Sequence, residues 1–384
     1  MMKIGILYPK SNTHPGMMMD YMDGLKAALK VQQLPEHILL ISESIGFGGN
    51  DKEVYEKAEK LLVLEGVDVL VAYVDLRVLE LLKPLLLASG KMVLAVNPGA
   101  NYPQNWQPEA NIVHLTLQHA FLCALTGKLA SQVNKTKAAM CTTFYDCGYL
   151  HTASMVDQFA AAGGSISYNY VNNQRNDETF DITPLTGYLS SDPETDSLLC
   201  IFDSLPSSLF YAHLNNYNGA ERLQLFVSPM MLEQKALENI SGGFNFSVDG
   251  YMPWHAAVQN KANVFFLESY SQLTKRTGTC FSLLGWETGL IIQELFLRGA
   301  GEYGDGKQLA EALAAIKISS PRGELKLDPA TNYFTAPVCK CSVKQQAQNC
   351  LVAWMEVPEK EWRDFVQAPV HGVSSGWTNT YLCY

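Results

Sequence analysis

The residues that could carry chemistry in this chain are scattered and do not form a known catalytic pattern. The histidines that we considered are His14, His114, His119, His151 and His255. Their spacing matches no HExxH-like metal motif. Ser228 lies in a Val-Ser-Pro sequence and not in the G-x-S-x-G turn of a hydrolase. We therefore predict that the chain has no catalytic residues and is not an enzyme.

A glycine-rich segment, Gly46–Gly49, follows a predicted strand and could in principle hold a phosphate. It lacks the third glycine of the dinucleotide-binding fingerprint, and no Gly-Lys-Ser/Thr sequence follows it. A plain glycine-rich turn is favoured over a nucleotide site. We predict no cofactor.

The cysteines are the other candidates for chemistry. Cys339 and Cys341 share one face of a predicted strand, and Cys350 follows nearby, which would suit a metal site. No CxxC pair or neighbouring histidine completes a set of four ligands, so structural thiols are favoured and we predict no metal. The chain has nine cysteines. An odd number spread over a long chain is a poor disulfide framework and favours a reducing compartment.

Composition excludes two classes of partner. With a formal net charge of -10 and no basic run between aromatic residues, the chain is not expected to bind nucleic acid. The most apolar stretch that we identify, Val78–Ser89, is interrupted by Glu80, Lys83 and Pro84, so we predict no membrane insertion. Met1-Met2-Lys3 leads directly into a strand-like run without the pattern of a signal peptide. We expect either a leader that was removed, or a cytoplasmic protein.

Strand-like and helical segments alternate along the chain in two series. The predicted strands are Lys3–Pro9, Ile38–Ser42, Val67–Tyr73 and Met92–Asn97, then Ala138–Phe144, Ser165–Val171, Leu198–Asp203, Gln224–Val227 and Phe246–Met252. Continuous apolar runs such as Val67–Tyr73 are typical of strands buried on both faces of a parallel sheet. At 384 residues the chain favours two lobes. The fold class that we predict is α/β, with two doubly wound lobes.

Several segments, in their order along the chain, resemble one known family. They are Lys3–Leu7, Gly24–Ala28, Tyr145–Tyr149, Ala160–Gly164, Phe180–Leu185 and the turn-rich stretch Ser320–Asn332. The order is similar to that of type I periplasmic binding proteins, in particular the leucine/isoleucine/valine-binding proteins of branched-chain amino-acid ABC transporters. The resemblance covers most of the chain.

The resemblance implies two discontinuous lobes joined by three crossings. We expect the crossings near Leu117–His119, Val248–Pro253 and Pro329–Tyr333. The N-terminal lobe would comprise residues 1–118 plus 251–330, and the C-terminal lobe residues 119–250 plus 331–384. The Ser320–Asn332 stretch would then fix the hinge and not touch the ligand.

In such a fold the ligand lies in the cleft between the lobes, beyond the carboxyl ends of the strands. Helix N-termini there offer free amide donors. We therefore predict ligand contacts in the loops that follow the strands and beside one crossing. The predicted ligand-binding residues are Asn12, His14, Tyr73, Asp75, Asn97, Gly99, Ala100, Tyr145, Tyr149, Phe202, Asp203, Ser228, Tyr251 and Trp254.

The resemblance implies a solute-binding protein that closes on an amino acid or related small polar compound and delivers it to an ABC permease. The location would then be periplasmic or extracellular. Three departures leave the ligand open: Asn97–Ala100 lacks the expected Ser or Thr, Cys147 stands where the family often has an aromatic residue, and Ser228–Met231 lacks the acid of branched-chain binders. Asp75 or Asp203 could replace that acid. Alternatives are a cytosolic sensor that acts through a regulatory protein, and an α/β enzyme.

Overall fold

The chain folds into two lobes, each built on a mainly parallel β-sheet covered by helices. The computed structural model describes residues 1–102, 107–133, 136–143, 148–172, 174, 177–237, 243–299, 305–345 and 350–368. Strands and helices are numbered below in chain order. Continuous apolar strands form the centre of each sheet because both of their faces are buried.

The first lobe contains an eight-stranded sheet in the order β11-β12-β13-β5-β4-β3-β1-β2. Its strands are β1 (Met2–Tyr8), β2 (Ile38–Ser44), β3 (Val69–Tyr73), β4 (Met92–Asn97), β5 (Ile112–Thr116), β11 (Lys317–Ser320), β12 (Gly323–Asp328) and β13 (Tyr333–Thr335). The first five strands are parallel, whereas β12 pairs antiparallel with both β11 and β13.

Helices cover both faces of this sheet, as expected for a doubly wound lobe. They are α1 (Met17–Val31), α2 (Asp51–Glu59, continued by a π-helical turn over Lys60–Leu64), α3 (Leu76–Ser89), α9 (Lys261–Thr274), α10 (Cys280–Leu297) and α11 (Gly306–Ala314). Alternate residues of β3 face opposite cores: Val69, Val71 and Tyr73 pack towards α1 and α10, and Leu70 and Ala72 towards α2 and α3. The period of two in the strand separates the two cores.

The second lobe contains a seven-stranded sheet in the order β15-β14-β10-β9-β8-β6-β7. Its strands are β6 (Lys137–Thr142), β7 (Ser165–Val171), β8 (Ser197–Ile201), β9 (Gln224–Val227), β10 (Ser247–Met252), β14 (Val338–Val343) and β15 (Leu351–Met355). Its helices are α4 (His119–Gln132), α5 (Gly148–Ala161), α6 (Thr183–Ser191), α7 (Ser204–Asn215), the short α8 (Gln234–Leu237) and α12 (Glu359–Gln367). The two doubly wound α/β lobes predicted from the sequence are confirmed.

Within the described residues the chain changes sheet three times, and the third change lies later than the crossing that we expected there. The first falls between β5 and α4, at residues 117–118. The second change follows Met252, at the end of the crossing that we expected near Val248–Pro253. The lobe limit that we placed at 250/251 falls inside β10, whose Tyr251 and Met252 still pair with β14. The third change lies at residues 336–337 and not at Pro329–Tyr333, because Tyr333 pairs with His114 of β5 and its ring stacks on that imidazole at 4.3 Å. Cross-strand pairing holds the chain in the first sheet past the predicted limit.

Helix α12 was not predicted, and it packs where the two lobes join. Its Trp362 is 2% exposed and contacts the rings of Tyr102 and Tyr333, which belong to first-lobe segments, and of Phe121 in α4. Arg363 of the same helix pairs with Asp328 at 2.6 Å. Residues 369–384 lie outside the described residues.

Helix α10 is the most apolar helix of the first lobe and exceeds the Val78–Ser89 stretch that we expected to be richest. In the described part of the chain it alone is long and apolar enough to cross a membrane. Because 78% of Cys280–Leu297 is buried inside the protein, this burial fits a core helix, which packs against α1.

Glycines allow α10 and α1 to approach closely. A Cβ atom at Gly285 would lie 1.9 Å from the carbonyl oxygen of Tyr21, and one at Gly24 would lie 2.0 Å from that of Ser282. Gly127 of α4 meets Met155 of α5 in the same way, at 2.0 Å. Both lobes thus have a helix pair in which backbone packs on backbone.

A buried ion pair joins α10 to the turn between β11 and β12. Arg322 donates to both carboxylate oxygens of Glu287, from Nε at 2.9 Å and from Nη2 at 2.6 Å, and the two side chains are 1% and 0% exposed. Ser320 Oγ also donates to Glu287. Arg322 Nη1 donates to the carbonyl of Thr116, where β5 ends, and the Arg322 carbonyl accepts from Trp354 Nε1 of β15. The turn is thus bonded to both lobes.

Replacing Gly285 with alanine should destabilise the protein, because the new methyl group collides with backbone that cannot move aside. We expect Gly285→Ala to lower the free energy of unfolding by about 3 kcal/mol or more, measured by urea denaturation. Gly187 of α6 is the matched control, since its Cβ would meet nothing within 4 Å. Gly187→Ala should raise stability by about 0.5–1 kcal/mol. Equal effects at the two sites would contradict the close approach.

Removing one partner of the buried ion pair should lower the free energy of unfolding far more than removing one partner of an exposed pair. Arg322→Met leaves Glu287 buried without a counter-charge, and we expect a loss of about 3–5 kcal/mol in urea denaturation. Lys317, whose side chain is 60% exposed and 2.9 Å from Glu324, serves as the control. Lys317→Met should change stability by less than about 1 kcal/mol. A mild effect of Arg322→Met would show that the pair does not hold the turn.

Candidate functional site

The carboxyl ends of the two sheets face each other across the junction of the lobes. His14 lies in the loop after β1, and Asp203 lies after β8 at the start of α7. Nε2 of His14 is 2.9 Å from Oδ1 of Asp203, and the two side chains are 10% and 4% exposed. We name these two residues the closing pair, because they link the lobes directly. Both were predicted as site residues, and the structure brings them together.

Short-range contacts hold His14 in position. Its backbone N–H donates to Ser11 Oγ at 3.0 Å, and its carbonyl accepts from the N–H of Met17 at the start of α1. The imidazole meets the ring of Phe281, at the start of α10, edge to face at 5.4 Å. The loop after β1 is therefore folded as a helix entry that directs the imidazole towards the other lobe.

Asp203 is positioned by the first turn of α7 and by the residue before it. Its carbonyl accepts from the N–H of Ser207 at 2.8 Å. Phe202 is fully buried and stacks on Phe210 at 4.6 Å. The ring of Phe202 thus belongs to the core of the second lobe, and its predicted role as a ligand contact has no support from its position.

Glu233 is an acid of this site that sequence reasoning missed. It directly follows the 3₁₀ turn Pro229–Leu232 at the carboxyl end of β9 and is partly buried. Burial raises the pKa of Glu233 to about 7, with His14 acting to lower it and Asp203 to raise it. We noted from the sequence that Ser228–Met231 lacks an acid. The signal that could have found one is the carboxylate directly after this turn.

Two buried histidines lie on the second-lobe side of the closing pair. His119 begins α4 directly after Gln118, which has a left-handed conformation with φ 57°. Burial lowers the pKa of His119 well below its usual range, and His151, His14 and Arg322 lower it further. The His119 and His151 rings lie 6.3 Å apart. A neutral imidazole in this position does not add positive charge beside His14.

The predicted first-lobe residues mostly shape their loops. Asp75 caps α3, since its side chain accepts from the N–H of Val78, and Asn97 Oδ1 accepts from the N–H of Gly99 at 2.8 Å. Gly99 has φ 77°, and a Cβ atom there would lie 2.7 Å from the backbone nitrogen of Gln118. Ala100 is 1% exposed, whereas Asn12 is exposed. These contacts leave Asp75 committed to its helix, so it is a weak substitute for a ligand-binding acid.

Two predicted residues present buried hydroxyls at strand ends. Tyr73 is the last residue of β3, and its ring lies 5.0 Å from that of Tyr21. Ser228 directly follows β9 and is fully buried. Within the residues that the structure describes, Tyr73 Oη and Ser228 Oγ have no hydrogen-bond partner. Both can donate and accept a hydrogen bond.

The remaining predicted residues either pack against their neighbours or lie outside the described residues. Trp254 Nε1 donates to Asn263 Oδ1 at 2.8 Å, and its ring packs on Phe266, so it fastens the second crossing to α9. Tyr251 is 7% exposed in β10. Tyr145 and the side chain of Tyr149 lie outside the described residues, as do Cys147 and Cys383. Across the described ranges, no three His, Cys, Asp or Glu side chains are grouped to hold a metal ion.

The raised pKa of Glu233 makes stability fall as the pH rises. Between its ordinary pKa of 4.5 and about 7, the folded protein retains a proton that the unfolded chain has released. Between about pH 5 and pH 7.5, the free energy of unfolding of wild type should fall by about 1–3 kcal/mol more than that of Glu233→Gln. Urea denaturation at each pH measures this difference. Glu221→Gln, at an exposed position, should keep the wild-type pH dependence. Parallel curves for wild type and Glu233→Gln would contradict the burial of this carboxyl.

Solved structures resemble this fold over nearly their whole length. A substrate-binding protein from Sphaerobacter thermophilus superposes with a TM-score of 0.76 at 18% identity, covering 93% of this chain and 97% of that one. A solute-binding protein from R. palustris in complex with benzoate gives 0.72 at 19% identity, with 93% and 96% covered. A leucine-binding protein from Thermotoga maritima gives 0.66 at 13% identity, with 94% and 100% covered. At these identities the similarity concerns the fold.

The family is shown by the sequence itself. No curated protein matches the sequence significantly. Residues 2–347 match a family described as periplasmic binding protein, which accounts for both sheets apart from β15. This is a family of solute-binding proteins and not of enzymes, in agreement with the prediction of a binding role. The chain is a member of the periplasmic binding protein family.

Proposed function

We propose that the protein captures a small organic acid, with an α-amino acid as the first candidate, by closing its lobes around it, and passes it to an ABC permease. The closing pair is the observation that carries this proposal. His14 and Asp203 come from opposite lobes and meet at 2.9 Å, so the cleft edge that they form exists only when the lobes are closed. A ligand that favours the closed state would stabilise this contact.

The side chains near the closing pair suit a ligand that carries both a cationic and an anionic group. Asp203 and Glu233 can accept hydrogen bonds from an ammonium or hydroxyl group. The loop Asn97–Ala100 lies against the start of α4, where the carbonyls of Pro98 and Gly99 accept from the N–H groups of His119 and Ala120. The buried hydroxyls of Tyr73 and Ser228 add neutral donors. An amino acid would use both kinds of group, whereas benzoate would use only the donors.

Aromatic acids form a second candidate class. The structure from R. palustris that resembles this chain holds benzoate, and the one from Thermotoga maritima is a leucine-binding protein. The acid at Glu233 favours an amino acid, because a benzoate has no ammonium group to pair with it. Family membership supports a permease as the partner and a periplasmic or extracellular location. It gives no support to a cytosolic sensor with a regulatory partner.

Ligand binding can be tested on the purified protein by calorimetry, with leucine, isoleucine, benzoate and 4-hydroxybenzoate as separate arms. We expect at least one to bind and to reduce the radius of gyration in small-angle scattering as the lobes close. Asp203→Asn and His14→Ala should each weaken that ligand tenfold or more, or about 1.4 kcal/mol. Both variants should also remain more open in the presence of ligand.

The control is a second His–Asp pair on the same lobe as Asp203. His213 and Asp177 are 3.2 Å apart, with side chains 32% and 76% exposed. Asp177→Asn should bind ligand as wild type does. Unchanged affinity in Asp203→Asn, or an equal loss in Asp177→Asn, would rule out the closing pair as the basis of capture. If none of the organic acids binds, the proposed ligand class is wrong.

A further inference from the structure

Two cysteines lie side by side on the hairpin of β14 and β15. In this antiparallel hairpin Cys341 pairs with Val352, and Ser342 pairs with Leu351. Cys350 directly precedes β15, so continuation of the register sets it opposite Val343. Residues two apart on a strand share a face, and Cys350 therefore lies on the same face as Cys341. Both contact the core of the second lobe.

The hairpin register makes the two cysteines diagonal neighbours on one face, and both side chains pack in the same core. The Cys341 thiol acts as a hydrogen-bond donor towards Cys350 and lowers the pKa of that thiol. Cys350 Sγ lies 3.7 Å from the carbonyl oxygen of Leu351. Cys341 is fully buried, whereas Cys350 is partly accessible. An S–S bond is about 2 Å long, so Cys350, which lies just outside the paired part of β15, must move towards Cys341 for the bond to form.

The surroundings give the two thiols different reactivity. The hydrogen bond from Cys341 lowers the pKa of Cys350, and the same hydrogen bond, together with burial, raises the pKa of Cys341. A thiolate is the nucleophile in disulfide exchange. Cys350 is thus the accessible nucleophile, and Cys341 is the second thiol held beside it.

A second pair of neighbouring cysteines in the same lobe is not accessible to solvent. Cys141 of β6 and Cys200 of β8 are register partners on neighbouring parallel strands, and both are fully buried. Burial raises the pKa of Cys200 well above its ordinary value, and its contact with Cys141 raises it further. Because neither thiol of this pair is partly exposed to an oxidant, the pair serves as an internal control for Cys341 and Cys350.

We propose that Cys341 and Cys350 are a modification site that forms an intramolecular disulfide by exchange with an external disulfide. The Cys350 thiolate attacks one sulfur of that external disulfide, forms a mixed disulfide and releases one external thiolate. Cys341 then loses its proton, attacks the Cys350 sulfur and releases the second external thiolate. Two protein thiols are oxidised to one disulfide, and one external disulfide is reduced to two thiols.

The disulfide would fasten the hairpin that contacts the buried turn at the lobe junction. Trp354 of β15 lies opposite Cys339 of β14, and its Nε1 donates to the carbonyl of Arg322 at 2.9 Å. A covalent link at the loop end of the hairpin restrains β15, and through Trp354 it supports the contact with Arg322. This inference uses no property of the ligand, so it stands or falls independently of the proposed function.

The experiment is oxidation of the folded protein with excess oxidised glutathione, followed by alkylation of the remaining thiols and peptide mapping by mass spectrometry. We expect the loss of two alkylatable thiols and one cross-linked peptide pair that joins Cys341 to Cys350. The oxidised protein should also melt several degrees above the reduced protein, because the link restricts the unfolded chain.

Variants separate the two steps. Cys341→Ser should accumulate the mixed glutathione disulfide on Cys350, and Cys350→Ser should abolish both the cross-link and the rise in melting temperature. Cys200→Ala is the matched control and should still form the Cys341–Cys350 link. The proposal is overturned if wild type keeps both thiols, if Cys350 stays joined to glutathione, or if the cross-link involves Cys141 and Cys200. The wild-type map alone decides this, even if a variant fails to fold.

Discussion

The ion pair of Arg322 and Glu287 lies at the junction of the lobes with almost no contact with water. Two charges buried together lose their hydration, and only good geometry compensates for this loss. Here the guanidinium donates to both carboxylate oxygens, Ser320 donates to the same carboxylate, and the Thr116 carbonyl accepts an N–H from Nη1 of Arg322. Because β5, α10 and the β11–β12 turn all contribute, none of them can shift alone without leaving a buried charge unpaired. The pair thus fixes the first lobe where the chain enters the second.

Each lobe can act as a rigid body because its helices pack through glycine. The approach of α1 to α10, and of α4 to α5, brings backbone against backbone and leaves little room for sliding. Any rotation of one lobe against the other would then be concentrated at the crossings, and the loops after the strands would move as parts of the two lobes. The closing pair of His14 and Asp203 forms between such loops, so a small rotation of the lobes makes or breaks it.

The electrostatics of the cleft separate residues that look similar in the sequence. His14 faces Asp203 and lies near Glu233, whereas His119 is buried among other basic groups and its pKa is lowered. Glu233 is close to half protonated near pH 7, because burial opposes its charge. Asp75 is used as a helix cap. Proteins that share this fold bind ligands as different as benzoate and leucine, so the fold sets the location of the site and the side chains set its chemistry.

The local pattern of apolar residues by itself determined most of the helices and strands of this protein, and the carboxyl ends of the strands where a ligand would bind. The bounds of β4, β7 and β9 follow from the pattern of apolar residues, and the predictions of His14 and Asp203 follow from their places after strands. The sequence did not predict β5 or α12, because Ile112–Thr116 is short and contains polar residues, and Glu359–Gln367 is mostly charged. Only the tertiary structure paired Arg322 with Glu287, brought Glu233 near the closing pair and placed Cys350 on the same face of the hairpin as Cys341. Periodicity reports which face of an element is buried, and it carries no information about which distant residue packs there. That choice depends on the packing of all the elements together.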